Sequence, residues 1–270
     1  MSAWILLRGL TRESRHWAHL PAILRARGID EEIVFADLPG SGRHVRERAP
    51  TTIAATTDFV RALAAAGAPA PPYRIIGMSL GAMVAVDWAQ RFPDEIEALA
   101  LINTSMRRHA GTLERLRPGA WARLVRAAWW WNARTSVASG AASTRTVEAV
   151  IHALTCARAD TRAEDLAAWT AIFDCAPPTR RNALRQLWAA ARFDGPPFAP
   201  RCPTLLLASR ADALVHPVCS RKLAGAWNAP LVEHAWAGHD LPHDDPAWLA
   251  ETIAAWVGNA STVAAPPTSA

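Results

Sequence analysis

Short apolar runs bounded by turn residues alternate along this chain with longer segments in which apolar positions recur every third or fourth residue. A continuous apolar run of about four to eight residues suits a strand buried on both faces, and the longer spacing gives a helix one apolar face. Strands are expected at residues 4–7, 32–36, 73–76, 98–102, 204–208 and 231–234. Helices at 17–26, 52–66, 80–92, 221–227 and 246–257 fit between and after them. This alternation predicts α/β architecture, a mostly parallel central sheet flanked by helices. Residues 67–72 read as a proline-rich turn and 260–270 as a flexible tail.

The rhythm breaks between Asn103 and Thr204. That block shows helical spacing at 119–131, 144–155, 163–173 and 179–191 and no convincing strand, so a helical cap inserted into the sheet domain is expected. The chain then divides into a core of residues 1–104 and 201–259 and a cap of residues 105–200. The cap is rich in large aromatics: Trp121, Trp129, Trp130, Trp131, Trp169 and Trp188. Trp129, Trp130, Trp169 and Trp188 are candidate substrate-binding residues, because aromatic walls favour a hydrophobic substrate and exclude water. The competing explanations are ordinary packing of a thin helical layer and a membrane-facing patch over 123–134.

Composition narrows the class. The 270 residues are 51% hydrophobic and 20% charged, enough for a sizeable core with disorder confined to the ends. The formal charge of +5 comes from arginines scattered along the chain, with no basic block of the kind a nucleic-acid-binding arm shows. A solvated surface is expected, with steering of acidic partners such as an acyl carrier protein or an anionic ester as the alternative. The run at 4–7 is interrupted at once by Arg8 and Gly9, unlike a signal peptide, and no apolar stretch is long enough to span a bilayer. A cytoplasmic protein without nucleic-acid partners or stable membrane insertion is the expectation. Cys156, Cys175, Cys202 and Cys219 lack C-x-x-C pairing and histidines at zinc-finger spacing, and so are expected to be reduced, mostly buried thiols without a metal site or disulfides.

Gly77-Met78-Ser79-Leu80-Gly81 follows an expected strand and precedes an expected helix. A serine on so tight a turn is held in a strained backbone conformation, flanking glycines leave room for it, and the helix behind supplies free N–H groups for developing negative charge. A glycine-rich turn with a capping serine would share the motif, but the strand-to-helix context favours Ser79 as a nucleophile with the Leu80 N–H as an oxyanion donor. A serine nucleophile needs a general base, and the base needs an orienting carboxylate. Asp212 follows the 204–208 run and His239 follows the 231–234 run, in the order serine, acid, histidine and at the carboxyl ends of expected strands. His216, His234 and His243 are expected in solvated or capping roles, and Asp194 and Asp37 fall in the wrong places for the acid.

These residues, with Asp37-Leu38-Pro39-Gly40-Ser41-Gly42, Ser209-Arg210-Ala211-Asp212, Val215, Pro217, Pro242 and Pro246, resemble the capped α/β-hydrolases. Among these, the chain is most similar to small carboxylesterases of the pimeloyl-acyl-carrier-protein methyl ester type. The resemblance runs to about Val257 and implies the α/β-hydrolase fold with an inserted helical cap, no cofactor, and a second oxyanion N–H at Leu10. The family usually has histidine where this chain has Arg8, so the loop must be held differently. Arg8 could contact a substrate carboxylate, although a structural role is favoured.

The expected activity is hydrolysis of carboxylic esters of small to medium hydrophobic substrates through an acyl-enzyme. Alternatives are a thioesterase or acyl-carrier-protein-linked ester hydrolase, acyl transfer, carbon–carbon bond hydrolysis, and, in another class, a non-catalytic hydrolase-fold receptor for a small molecule. A serine at the turn argues against dehalogenases and epoxide hydrolases, whose nucleophile is aspartate.

Overall fold

The computed structural model describes residues 2–133 and 140–263, and their side chains except those of 127–133, 140–144 and 259–263. In chain order the elements are β1 (Trp4–Leu7), a 3₁₀ turn (Ser14–Trp17), α1 (Leu20–Ala26), β2 (Ile33–Phe35), α2 (Ile53–Gly67), β3 (Tyr73–Met78), α3 (Leu80–Arg91) and β4 (Ile96–Ile102). Then come α4 (Thr112–Arg115), α5 (Pro118–Ala133), α6 (Gly140–Thr155), α7 (Arg162–Cys175) and α8 (Arg180–Arg192). The chain returns to the sheet with β5 (Thr204–Ser209), α9 (Val218–Trp227), β6 (Leu231–His234), α10 (Leu241–Asp244) and α11 (Pro246–Val263).

All five strand pairings are parallel, in the order β2-β1-β3-β4-β5-β6. The strands are apolar throughout because helices cover both faces. Alternation within a strand assigns residues to the two layers. Ile5, Leu7, Ile75, Leu99, Leu101 and Leu206 pack with α2, α3 and α9, whereas Trp4, Leu6, Ile76, Met78, Ala100, Leu205 and Leu207 pack with α1 and α11. The chain moves from β1 outward to β2, then back across to β3 and onward in the opposite direction. The order therefore reverses between β1 and β3, and a ligand crevice opens at the carboxyl ends of the strands at such a reversal.

Between β4 and β5 the described residues form only helices. Helix α8 is tied to the core by polar contacts: Asn182 accepts from Ala49 N–H and donates to the Glu47 carbonyl, and Gln186 donates to the Pro39 carbonyl and Ser41 Oγ. Arg12 in the loop after β1 forms a buried 2.9 Å ion pair with Glu148 of α6.

Three expectations at element level are corrected. The helix expected at 17–26 is a 3₁₀ turn ending at Trp17 followed by α1, because Ala18 adopts φ 45° and interrupts the helix. The final helix, expected at 246–257, runs to Val263. Of the four cysteines, expected to be mostly buried, Cys219 is buried, Cys156 and Cys202 are half-buried and Cys175 is exposed.

Candidate active site

Ser79 follows β3 directly and adopts φ 52°, ψ −111°, outside the regions that residues with a β-carbon normally occupy. The turn is held on both sides. Its N–H donates to the Ile102 carbonyl at 2.8 Å, and its carbonyl accepts from Thr104 Oγ1 at 3.1 Å and from the Ala82 and Met83 N–H groups. The flanking glycines are required by space: a Cβ on Gly77 would stand 2.7 Å from Ala82 Cα, and one on Gly81 would collide with the Leu7 carbonyl.

Because β1 and β3 are paired with Leu7 opposite Gly77, the loop leaving β1 passes against the serine, and a Cβ on Gly9 would lie 3.9 Å from Ser79 Oγ. Among the described residues neither the Leu10 nor the Leu80 N–H has a protein acceptor, and Leu80 opens α3, where helix N–H groups are free. The adjacent Thr11 N–H donates to Gln186 Oε1 at 3.0 Å, so the loop carrying Leu10 is fastened to α8.

Asp212 and His239 meet in the turns after β5 and β6. Asp212 Oδ1 accepts from the Leu214 and Val215 N–H groups, each at 2.8 Å, which leaves Oδ2 for His239 Nδ1 at 2.7 Å. Both side chains are buried. Asn103, at φ 47° just past β4, joins the two turns. Its Nδ2 donates to the His239 carbonyl at 2.8 Å and Ser209 Oγ at 2.9 Å, and its Oδ1 accepts from Ser209 N–H. Nothing in the sequence flagged Asn103, and only an asparagine directly after an apolar strand could have hinted at it. Among the described residues no hydrogen bond joins Ser79 Oγ to His239. Such contacts are often long without substrate.

The competing acids point elsewhere. Asp37 accepts from the Ser14 and Arg43 N–H groups, and exposed Asp194 pairs with Arg107 at 2.6 Å. Of the competing histidines, His216 and His234 match the expected capping role, their Nδ1 atoms accepting from the Val218 and Ala237 N–H groups. His234 is buried, bonded to Asp245 and Ala237 N–H, and His243 stands 3.0 Å from Asp165 of α7, so neither is solvated. The expectation failed for His243 because its partner comes from another element.

Arg8 is buried and gives two hydrogen bonds to Asp240, at 3.0 and 2.6 Å, with its guanidinium 4.9 Å from the centre of the Trp17 ring. Burial opposes ionisation of Asp240, but the Arg8 guanidinium overcomes it and holds the carboxyl below its ordinary value. The guanidinium is thereby committed to the residue next to His239. Of the tryptophans, Trp169 is buried against His16, His152, His243 and Arg12, while Trp188 is 55% exposed beside Arg192. The side chains of Trp129 and Trp130 lie outside the described residues. Two open recesses on the surface, one beside Arg46 and Arg181 and one beside Thr51 and Asp87, include none of Ser79, Asp212 or His239.

No helix among the described residues is long and apolar enough to cross a membrane. Among solved structures the chain is similar to the enol-lactonase from Burkholderia xenovorans LB400, with 23% identity, a TM-score of 0.70 and coverage of 97% of this chain and 91% of that one. Among curated proteins it is 40% identical over 73 residues to the pimeloyl-[acyl-carrier protein] methyl ester esterase of Chromobacterium violaceum, which is 27% of this chain and 26% of that protein. It is 31% identical over 105 residues to the biotin biosynthesis bifunctional protein BioHC of Teredinibacter turnerae, 38% of this chain and 17% of that protein. The chain thus spans about a quarter or less of the length of these curated relatives. A family profile described as "Alpha/beta hydrolase family" matches residues 4–252. With that match spanning the parallel sheet, the serine turn and the histidine turn, the chain belongs to the alpha/beta hydrolase family.

Proposed function

We propose that the protein is a serine hydrolase that cleaves carboxylic esters of small to medium hydrophobic substrates through an acyl-enzyme. The observation that carries this reading is the buried 2.7 Å contact between His239 Nδ1 and Asp212 Oδ2, formed at the same sheet edge as the strained Ser79 turn. An ionised Asp212 accepts the Nδ1 proton, which leaves the lone pair on Nε2. Nε2 takes the Ser79 hydroxyl proton as Oγ attacks the ester carbonyl, and the Leu10 and Leu80 N–H groups receive the oxyanion. Collapse expels the alcohol, which takes the proton from Nε2. A water activated by the same nitrogen then hydrolyses the acyl-enzyme and regenerates Ser79. In this reading residues 105–200 form a cap over the site, and Arg8 positions the His239 turn through Asp240.

A second reading, an acyl-carrier-protein-linked ester as substrate, is favoured by the segment shared with the pimeloyl-[acyl-carrier protein] methyl ester esterase. The free cysteines fit a reducing, cytoplasmic setting.

A fluorophosphonate probe should label the protein and fail to label Ser79→Ala, which should also lose hydrolysis across a series of p-nitrophenyl esters. Asp212→Asn should bind substrate yet turn over more slowly by about 10⁴-fold, as a lost tautomer costs in serine proteases. Unlabelled wild-type protein would favour a non-catalytic receptor, and a mild Asp212→Asn beside a severe Asp37→Asn would overturn the acid's assignment. Acyl thioesters assayed in parallel decide between the ester and thioester readings.

A further inference from the structure

Where the inserted helices meet the core, a cluster stands that the proposed reaction does not use. His152 lies in the last turn of α6, and Cys156 directly follows that helix with its N–H donating to the His152 carbonyl at 2.8 Å. Asp165 comes from α7, and His243 from α10, four residues beyond His239. Donor atoms of His152, Cys156 and His243 all lie within 4.8 Å of one another. Asp165 Oδ2 lies 3.1 Å from His152 Nε2 and 3.0 Å from His243 Nε2, and accepts from Thr161 Oγ1 at 2.8 Å. The Trp169 ring walls one side, with its centre 5.4 and 5.2 Å from the two imidazoles.

We propose that His152, Cys156 and His243, with the Asp165 carboxylate beside both imidazoles, form a binding site for a zinc-class divalent cation that clasps the inserted helices to the histidine turn. The donor set argues for this class. Two imidazoles, a thiolate and a carboxylate match the mixed nitrogen, sulfur and oxygen shell of zinc, whereas magnesium and calcium require oxygen ligands throughout. Spacing agrees. Nitrogen and oxygen ligands about 2.0–2.2 Å from a tetrahedral zinc stand roughly 3.3 Å apart, close to the nitrogen-to-oxygen separations of 3.1 and 3.0 Å, and a sulfur-to-nitrogen edge is roughly 3.5 Å, against donor separations of at most 4.8 Å among His152, Cys156 and His243.

Hydrogen bonding alone accounts for the two imidazoles on Asp165. It does not account for the thiol at the same point, whose hydrogen-bond partner is Thr155 Oγ1 at 3.7 Å. Binding must release the thiol proton as the sulfur–metal bond forms, and affinity falls as pH falls. His243 lies far along the chain from His152, Cys156 and Asp165, which is why cysteine and histidine spacing along the chain did not reveal the site.

The test uses the full chain, stripped with a chelator and titrated first with Co²⁺ and then with Zn²⁺ against a chromophoric competitor. About one equivalent of cobalt should bind, with intense visible bands of a tetrahedral ion and a near-ultraviolet sulfur-to-cobalt band, and zinc should displace it. Cys156→Ser should abolish the sulfur band, and both it and Asp165→Asn should weaken zinc binding by roughly 10–100-fold. Zinc should raise the melting temperature of the wild type and not of Cys156→Ser, and circular dichroism establishes that the variants are folded. Absence of stoichiometric binding by the folded wild type overturns the proposal. So does a sulfur band that persists in Cys156→Ser, since it would come from Cys175, Cys202 or Cys219.

Discussion

His16 is buried beside two guanidiniums, with Arg12 Nη1 3.0 Å from its Nε2 and the Glu13 N–H 3.2 Å from its Nδ1. Burial, then the positive charges of Arg12 and Arg8, push the imidazole well below its ordinary value, so the folded ring is neutral. In the unfolded chain a histidine binds a proton below about pH 6.5. Stability therefore rises with pH through this window and is lost as pH falls below it. Between pH 7 and 5 the loss should approach about 2 kcal/mol, and His16→Gln, which keeps an acceptor but does not titrate, should remove most of it in urea denaturation at the two pH values. Equal losses in both proteins would show that other groups carry the pH dependence. At this scale the sequence was legible where backbone geometry demands a residue type, as with Gly77 and Gly81 around Ser79. It was not legible for the burial of His234 and His243, because their partners Asp245 and Asp165 come from other elements.

The loop after β1 shows how one element depends on another. Its Thr11 N–H is held by Gln186 of α8, which also reaches the Pro39 carbonyl and Ser41 Oγ. If the Leu10 N–H receives the oxyanion, Gln186 positions a group that acts mainly in the transition state. Gln186→Ala should thus lower kcat by about 10-fold, equivalent to roughly one hydrogen bond, with KM for short esters little changed and a modest fall in melting temperature. A rise in KM alone would mean that α8 shapes the substrate pocket instead. The elements themselves were readable. β1 and β6 match their expected bounds, and Thr52 and Thr179 cap α2 and α8 by accepting N–H bonds from Ala55 and Asn182. The break at Ala18 escaped notice because a positive φ at alanine leaves no mark in residue type.

At the scale of the molecule, the helices between β4 and β5 are joined to the rest of the fold through buried contacts around Trp169, which packs on His16, His152 and His243 with the Arg12 guanidinium 4.6 Å from its ring centre. Trp169→Ala should destabilise the fold by about 3–5 kcal/mol, the range for truncating a buried aromatic, and depress hydrolysis of long and short esters alike. Exposed Trp188→Ala should change stability by less than about 0.5 kcal/mol. Thermal melts with an ester chain-length series check both. A loss confined to long esters in Trp169→Ala would instead make that ring part of the acyl pocket.

The apolar runs, their alternation with helical spacing, and the glycine-flanked serine determined the α/β class, the position of the Ser79 turn and the break between β4 and β5, because each is a local matter of periodicity and steric room. Tertiary structure alone decided that Arg8 pairs with Asp240, that Asn103 joins the turns carrying Asp212 and His239, and that His152, Cys156, Asp165 and His243 converge. Arg8 and Asp240 are 232 residues apart and Asn103 and His239 are 136 apart, while His243 stands far along the chain from His152, Cys156 and Asp165, and a buried charge or donor takes its role from whatever the fold places opposite it.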